Sequence, residues 1–184
     1  NAANNFNAHK GQTIQASDSC FQFHLQSIWA FEGWWCFCHF RMGCSAPDGN
    51  GLTSTGKTLV SIAIIGALNA AGRINRVLIV APLSILGVWE DEFKRFAGFP
   101  YQLIVLNGTI SKKIQQLRFL TGEGVHVVVV NYESAWRMEK ELANWHPDLI
   151  IADEGHKIKT HNTSVSKAMH RLGLLARYRL LLTG

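Results

Sequence analysis

Gly51, Gly56, Lys57 and Thr58 stand in the spacing G-x-x-x-x-G-K-[ST]. Residues of these types at these intervals can hold a phosphate: a glycine lets the backbone approach the anion, a lysine ammonium reaches the outer phosphates, and a hydroxyl can ligate a divalent cation. Gly51, Ser54, Thr55, Gly56, Lys57 and Thr58 are therefore the candidate nucleotide-binding loop. A hydroxyl alone holds magnesium badly, so the pattern calls for a carboxylate from a neighbouring strand end. Asp153 and Glu154 follow the apolar run Leu149 to Ala152 and supply it. Asp153 is the candidate magnesium ligand beside Thr58, and Glu154 the candidate group that orients and polarises an attacking water. The competing reading makes both acids ordinary caps of the next segment. His156 is a candidate for coupling this site to the last strand by bonding to its end. There Thr183 and Gly184 lie on the ligand side, with the threonine hydroxyl placed to sense an outer phosphate.

Such groups work only if strands and helices bring them together. Lys57 to Ala71 reads as a helix, apolar nearly all round and so buried, with Gly72 as its terminator. Strands are predicted at 76–82, 101–108, 126–132, 148–154 and 177–184. Between them, helices are predicted over 84–96, 111–120, 133–145 and 163–175. RVLIVAP, the stretch from Arg76 to Pro82, is an unbroken apolar run of the kind used by a sheet covered on both faces. Strands alternating with helices predict an α/β fold with a mostly parallel, doubly wound sheet in three α/β/α layers.

The chain has 184 residues, 47% of them hydrophobic, enough for one α/β domain with a sizeable core. No run approaches the about 18 apolar residues of a membrane span, so no membrane partner is expected. Neither an initiator Met nor a leader is visible, which reads as a chain that starts inside an open reading frame. The net charge is +5. Every charged residue beyond Glu154 is basic: Lys157, Lys159, Lys167, Arg171, Arg177 and Arg179. Such a flank suits a phosphate backbone, or forms a solvated face that another part of the protein balances.

Residues 1–50 read differently from 51–184, and the chain divides there into a poorly matching amino-terminal region and a regular domain. NAANNFNAH is polar and expected to be disordered, Gln22 to Phe31 admits a short helix, and no clean period runs through Cys20 to Phe40. All four cysteines lie in this part. Cys36, Cys38, His39 and Cys44 lack the usual zinc-knuckle spacing, so zinc is not expected and free thiols are.

With these residues in view, the chain resembles a known family over residues 55–184. VLIVAPLSILGVWEDEF, VVVVNYESAW, DLIIADEGHKIK and ARYRLLLTG together look like the first RecA-like lobe of SNF2-type DEAD/DEAH helicases and translocases, of bacterial or phage flavour. The resemblance implies a RecA-like P-loop NTPase lobe that uses ATP and Mg2+ and couples hydrolysis to movement on double-stranded DNA. It assigns Gly56, Lys57 and Thr58 to motif I, and Asp153, Glu154, Gly155 and His156 to motif II. Leu182, Thr183 and Gly184 match the start of motif III. Ala81 to Ser84 match motif Ia, which makes Pro82, Leu83 and Ser84 candidate nucleic-acid contacts, with Lys157 and Lys159 after motif II. It implies a cytoplasmic protein of a bacterium or phage-infected cell, and a second RecA-like lobe that would bring arginines across the nucleotide.

Ser54 stands where the family carries glycine. The adenine-contacting element upstream is not evident, with Gln12 and Gln26 candidates by position only. The break near Ser54 reads as a shifted frame, a misjoined fragment or divergence, the first two favoured. The alternative function is a fragmentary or inactive nucleotide-binding module that acts by interaction. A kinase-like P-loop enzyme is disfavoured by DEGH and the final LLLTG.

Overall fold

The computed structural model describes residues 36–38, 56–158 and 163–183, with the side chains of Cys36–Cys38 and Lys157 left aside. The expected helix at Gln22 to Phe31 lies outside the described residues.

The strands are β1 (Cys36–Cys38), β2 (Arg76–Ala81), β3 (Tyr101–Val105), β4 (Val125–Asn131), β5 (Leu149–Ala152) and β6 (Tyr178–Leu182). Buried apolar runs make the central strands β2, β4 and β5. They form one sheet in the order β1-β6-β5-β2-β4-β3. Every ladder between them is parallel. Parallel strands need crossovers, and among the described residues six α-helices accompany the sheet: α1 (Lys57–Ala70), α2 (Leu86–Phe96), α3 (Ile110–Arg118), α4 (Tyr132–Arg137), α5 (Glu139–Trp145) and α6 (Ser164–Leu175).

Successive strand residues point to opposite faces, so an unbroken apolar strand feeds two cores. Leu78, Val80, Val128, Val130, Ile150, Ala152 and Leu181 pack with residues of α3 to α6. Val77, Ile79, Val127, Val129, Leu149, Ile151 and Leu180 pack with Ile62 and Ile65 of α1 and with Trp89 and Phe93 of α2. This is the three-layer α/β/α arrangement with a doubly wound parallel sheet.

Three differences from the sequence expectation have physical causes. The stretch without a clean period contributes β1, which pairs Cys36–Cys38 with Leu180–Leu182 and extends the sheet beyond β6. A three-residue strand is too short to show periodicity. The single helix expected from Glu133 to Trp145 is two helices meeting at Met138 (φ −107°, ψ 21°). No glycine or proline marks the break; Met138 is fully buried there with Ala135 and Leu142. Finally, β5 ends at Ala152, which leaves Asp153 and Glu154 just beyond the sheet, on the turn where ligands of such folds bind.

Candidate functional site

Asp153 leaves β5 with its backbone N–H donating to the carbonyl of Val80, at 2.8 Å. Both layers then hold it. Trp89 of α2 donates its indole N–H to Asp153 Oδ2 at 3.1 Å. From the other face, the Tyr132 hydroxyl at the start of α4 donates to the Asp153 carbonyl at 2.6 Å. The Glu154 N–H donates to Asp153 Oδ1 at 2.9 Å.

Asp153 is 6% exposed. Burial pushes its carboxyl up from the ordinary aspartate value, while the bonds from Trp89 and the Glu154 amide and the nearby Lys57 charge pull it back. Burial also pushes the Tyr132 phenol up, aided by the charges of Asp153 and Glu154, so Tyr132 serves as a neutral donor.

The chain turns through a left-handed conformation at Glu154 (φ 53°). For a residue with a Cβ this costs on the order of 1 kcal/mol. Gly155 comes next, against β6. A Cβ there would lie 2.1 Å from Leu181 Cδ1 and 2.5 Å from its Cγ, inside the core, so glycine permits this close approach. Lys57, the first residue of α1, places Nζ 3.4 Å from Glu154 Oε1. His156 Nδ1 lies 3.2 Å from the other oxygen of the same carboxylate. Thr58 follows Lys57 and is buried. No side chain caps α1 at Gly56, whereas Thr109, Asn131 and Thr163 cap α3, α4 and α6.

The structure thus brings together Lys57, Asp153, Glu154 and His156. His156 meets Glu154, not the end of the last strand as its spacing suggested, and its side chain is 59% exposed. It is Gly155 that abuts β6. Thr183 is half-buried just past β6. Gly51, Ser54, Thr55, Lys159 and Gly184 lie outside the described residues, as do Gln12 and Gln26. Pro82 ends β2, and Leu83 and Ser84 are exposed beside it. A groove of about 420 Å³ runs there, lined by Pro82, Leu83, Asn131, Tyr132, Glu133 and Thr163 among others.

The basic flank is partly spent elsewhere. Arg171 makes a bidentate pair with Glu139, its Nη2 lying 2.6 Å from Oε2. Arg177 lies over the Tyr178 ring at the amino end of β6, away from the site.

Among the described residues no group of three or more His, Cys, Asp or Glu side chains could hold a metal. His39 and Cys44 lie outside them. Magnesium needs no such cage: one or two carboxylates with a hydroxyl and substrate phosphates suit its six oxygen positions. Among the described residues Asp153 takes one hydrogen bond on each side-chain oxygen, which leaves a further lone pair on each, a donor set that fits that cation. No described helix is long and apolar enough to cross a membrane.

Trp89 and Tyr132 are site residues that the sequence pattern presents only as core positions. Their one signal is chemical: an indole N–H or phenol O–H in a core must find an acceptor.

The SNF2-related domain matches residues 42–184. The chain is similar to Chromodomain-helicase-DNA-binding protein 1-like of Mus musculus, 30% identical over 151 residues, covering 81% of this chain and 16% of that protein. It is also similar to ATP-dependent helicase fft1 of Schizosaccharomyces pombe, 33% identical over 132 residues, covering 70% of this chain and 14% of that protein. The chain thus spans about a sixth or less of these relatives' lengths. Among solved structures it resembles the Sulfolobus solfataricus SWI2/SNF2 ATPase core in complex with dsDNA. That match has a TM-score of 0.58 and 28% identity, over 70% of this chain and 25% of that one. These relatives are eukaryotic and archaeal; none supports the bacterial or phage flavour.

Proposed function

We propose, because the chain belongs to the SNF2-related domain family, that it is the ATP-binding lobe of a DNA-dependent ATPase that moves on duplex DNA. The observation that carries this reading is the meeting of Lys57, at the uncapped start of α1, with Glu154 at the end of β5. Residues far apart in sequence converge at the carboxyl edge of a parallel sheet, where a helix N-terminus favours an anion.

Bound Mg2+–ATP would supply the phosphoanhydride and the charge-neutralising cation. Lys57 would hold the outer phosphates, and Thr58 and Asp153 the magnesium. Glu154 would accept a proton from the attacking water on a carboxylate oxygen. Gly51, Ser54, Thr55 and Gly56 would line the phosphates. The groove beside Pro82, Leu83 and Ser84 is our candidate for the nucleic-acid track; the archaeal relative's complex with dsDNA supports a duplex partner. Lys157 and Lys159 would add charge to that track. His156, Thr183 and Gly184 would report nucleotide state. The chain covers a quarter of that archaeal ATPase core, so we assign the transition-state arginines to a second lobe. By itself the chain should bind nucleotide weakly, hydrolyse it slowly and not translocate.

Titration with a fluorescent ATP analogue and magnesium tests the reading, with Lys57→Ala as control and its fold checked by circular dichroism. Saturable binding lost in the control is the expected result. A folded wild-type chain that binds nothing would favour the alternative, an interaction module with a loop broken at Ser54. Strong stimulation of hydrolysis by duplex DNA in this chain would refute the need for a second lobe.

A further inference from the structure

Trp89 is 1% exposed, sits in the core between α2 and the sheet, and directs its one polar atom at Asp153. We infer that Trp89 is a positioning residue: its indole N–H fixes the rotamer of Asp153, so that the carboxylate's free lone pairs face the cation held with Thr58. This deepens the nucleotide-site reading above and rests on it.

Three observations support the role. The first is that the side-chain hydrogen bonds recorded on Asp153 come from Trp89 and the adjacent Glu154 amide. The amide belongs to a residue in a left-handed turn and moves with the aspartate, whereas the indole is anchored in another element. Trp89 is therefore the external reference for the carboxylate plane. The second is that Tyr132 fixes the backbone of Asp153 from the opposite layer, so rotation about the side-chain bonds is the freedom that remains for Trp89 to remove. The third is position. Trp89 lies one turn into α2, which follows directly on the turn Leu83–Ile85 and the exposed Leu83. Groups that orient a metal ligand from outside the coordination sphere commonly affect metal affinity about tenfold or more.

A purely structural tryptophan would also need an acceptor for its N–H, and Asp153 would serve. The two roles separate on cation affinity. Mn2+ binding to the 184-residue chain saturated with ADP can be followed by the electron paramagnetic resonance of free Mn2+. ADP affinity is measured separately in EDTA. Trp89→Phe keeps a ring in the core without the donor; replacing Trp89 by β-(3-benzothienyl)alanine keeps the bicyclic shape without it. Phe93→Leu, in the same helix and core but with no polar contact, is the packing control.

The expected result is Mn2+ affinity lowered about tenfold in both donor-less variants, with ADP affinity in EDTA unchanged and Phe93→Leu retaining wild-type Mn2+ affinity. Equal Mn2+ affinity in wild type and the donor-less variants would overturn the inference alone. So would an equal loss in Phe93→Leu, which would make the effect one of packing. A folded wild-type chain that holds no Mn2+ with ADP would overturn the nucleotide-site reading and this inference with it.

Discussion

The two sides of the candidate site are built to different standards. The acidic side, at the end of β5, is held from both layers: Trp89 from the α2 face, Tyr132 from the α4 face and Gly155 pressed on Leu181. The lysine side, at the start of α1, meets it through one 3.4 Å pair, and Gly56 brings no side-chain cap. One side is fixed by the core, while the other keeps its amides and its ammonium available to an anion. A buried carboxylate must be held, because leaving it without partners is expensive. In its proposed role the Lys57 ammonium must be able to leave Glu154.

The largest effect should follow from removing the charge the two sides share. Glu154→Gln should reduce basal hydrolysis about 10²–10⁴-fold, the range for losing a general base, while saturable nucleotide binding persists. Single-turnover hydrolysis beside the analogue titration measures both, and an unchanged hydrolysis rate would remove Glu154 from its assigned role.

Next, the core-fixed side should answer in stability. Trp89→Ala should cost about 3–5 kcal/mol in urea unfolding, whereas Lys57→Ala should cost about 0–1 kcal/mol because its ion pair is long and partly exposed. Equal costs would erase the contrast between the two sides. Gly155→Ala forces a methyl against Leu181 and should destabilise by about 1–3 kcal/mol. A neutral result would mean that the turn after β5 yields more easily than its packing implies.

The smallest effect lies away from the site and measures how little an exposed pair adds. Arg171 beside Glu139 holds that carboxyl below its ordinary value. A depressed acid stabilises the fold above its unfolded pKa and loses that contribution as pH falls through its folded one. The small difference in thermal midpoint between wild type and Arg171→Ala should therefore be present at neutral pH and vanish in acid. A difference that grows in acid would contradict the assigned sign.

Much of the scaffold was legible along the chain. Val77 to Ala81, Val127 to Val130 and Leu149 to Ala152 are apolar on both alternating faces, which only a doubly covered parallel strand satisfies. Asp153 and Glu154 stood out as candidates because acids at the end of such a run are costly without partners. The break at Met138 was not, because Tyr132, Ala135, Met138 and Leu142 keep helical spacing through it. β1 was not, because three residues carry no period. The contact of His156 with Glu154 was not legible, because it follows the left-handed turn at Glu154.

By itself, then, the sequence determined the alternation of strand and helix, the three-layer class and the residue types that make Lys57, Asp153 and Glu154 candidates. Hydrophobic periodicity and local spacing act over a few residues and leave a direct trace in the chain. Only the tertiary structure decided that Trp89 and Tyr132 grip Asp153 from opposite layers, that Gly155 lies under Leu181 and that Arg171 is occupied by Glu139. Those contacts join positions separated by 21 to 64 residues or depend on how closely two elements approach. They are fixed by strand order and packing distance, which no local pattern records.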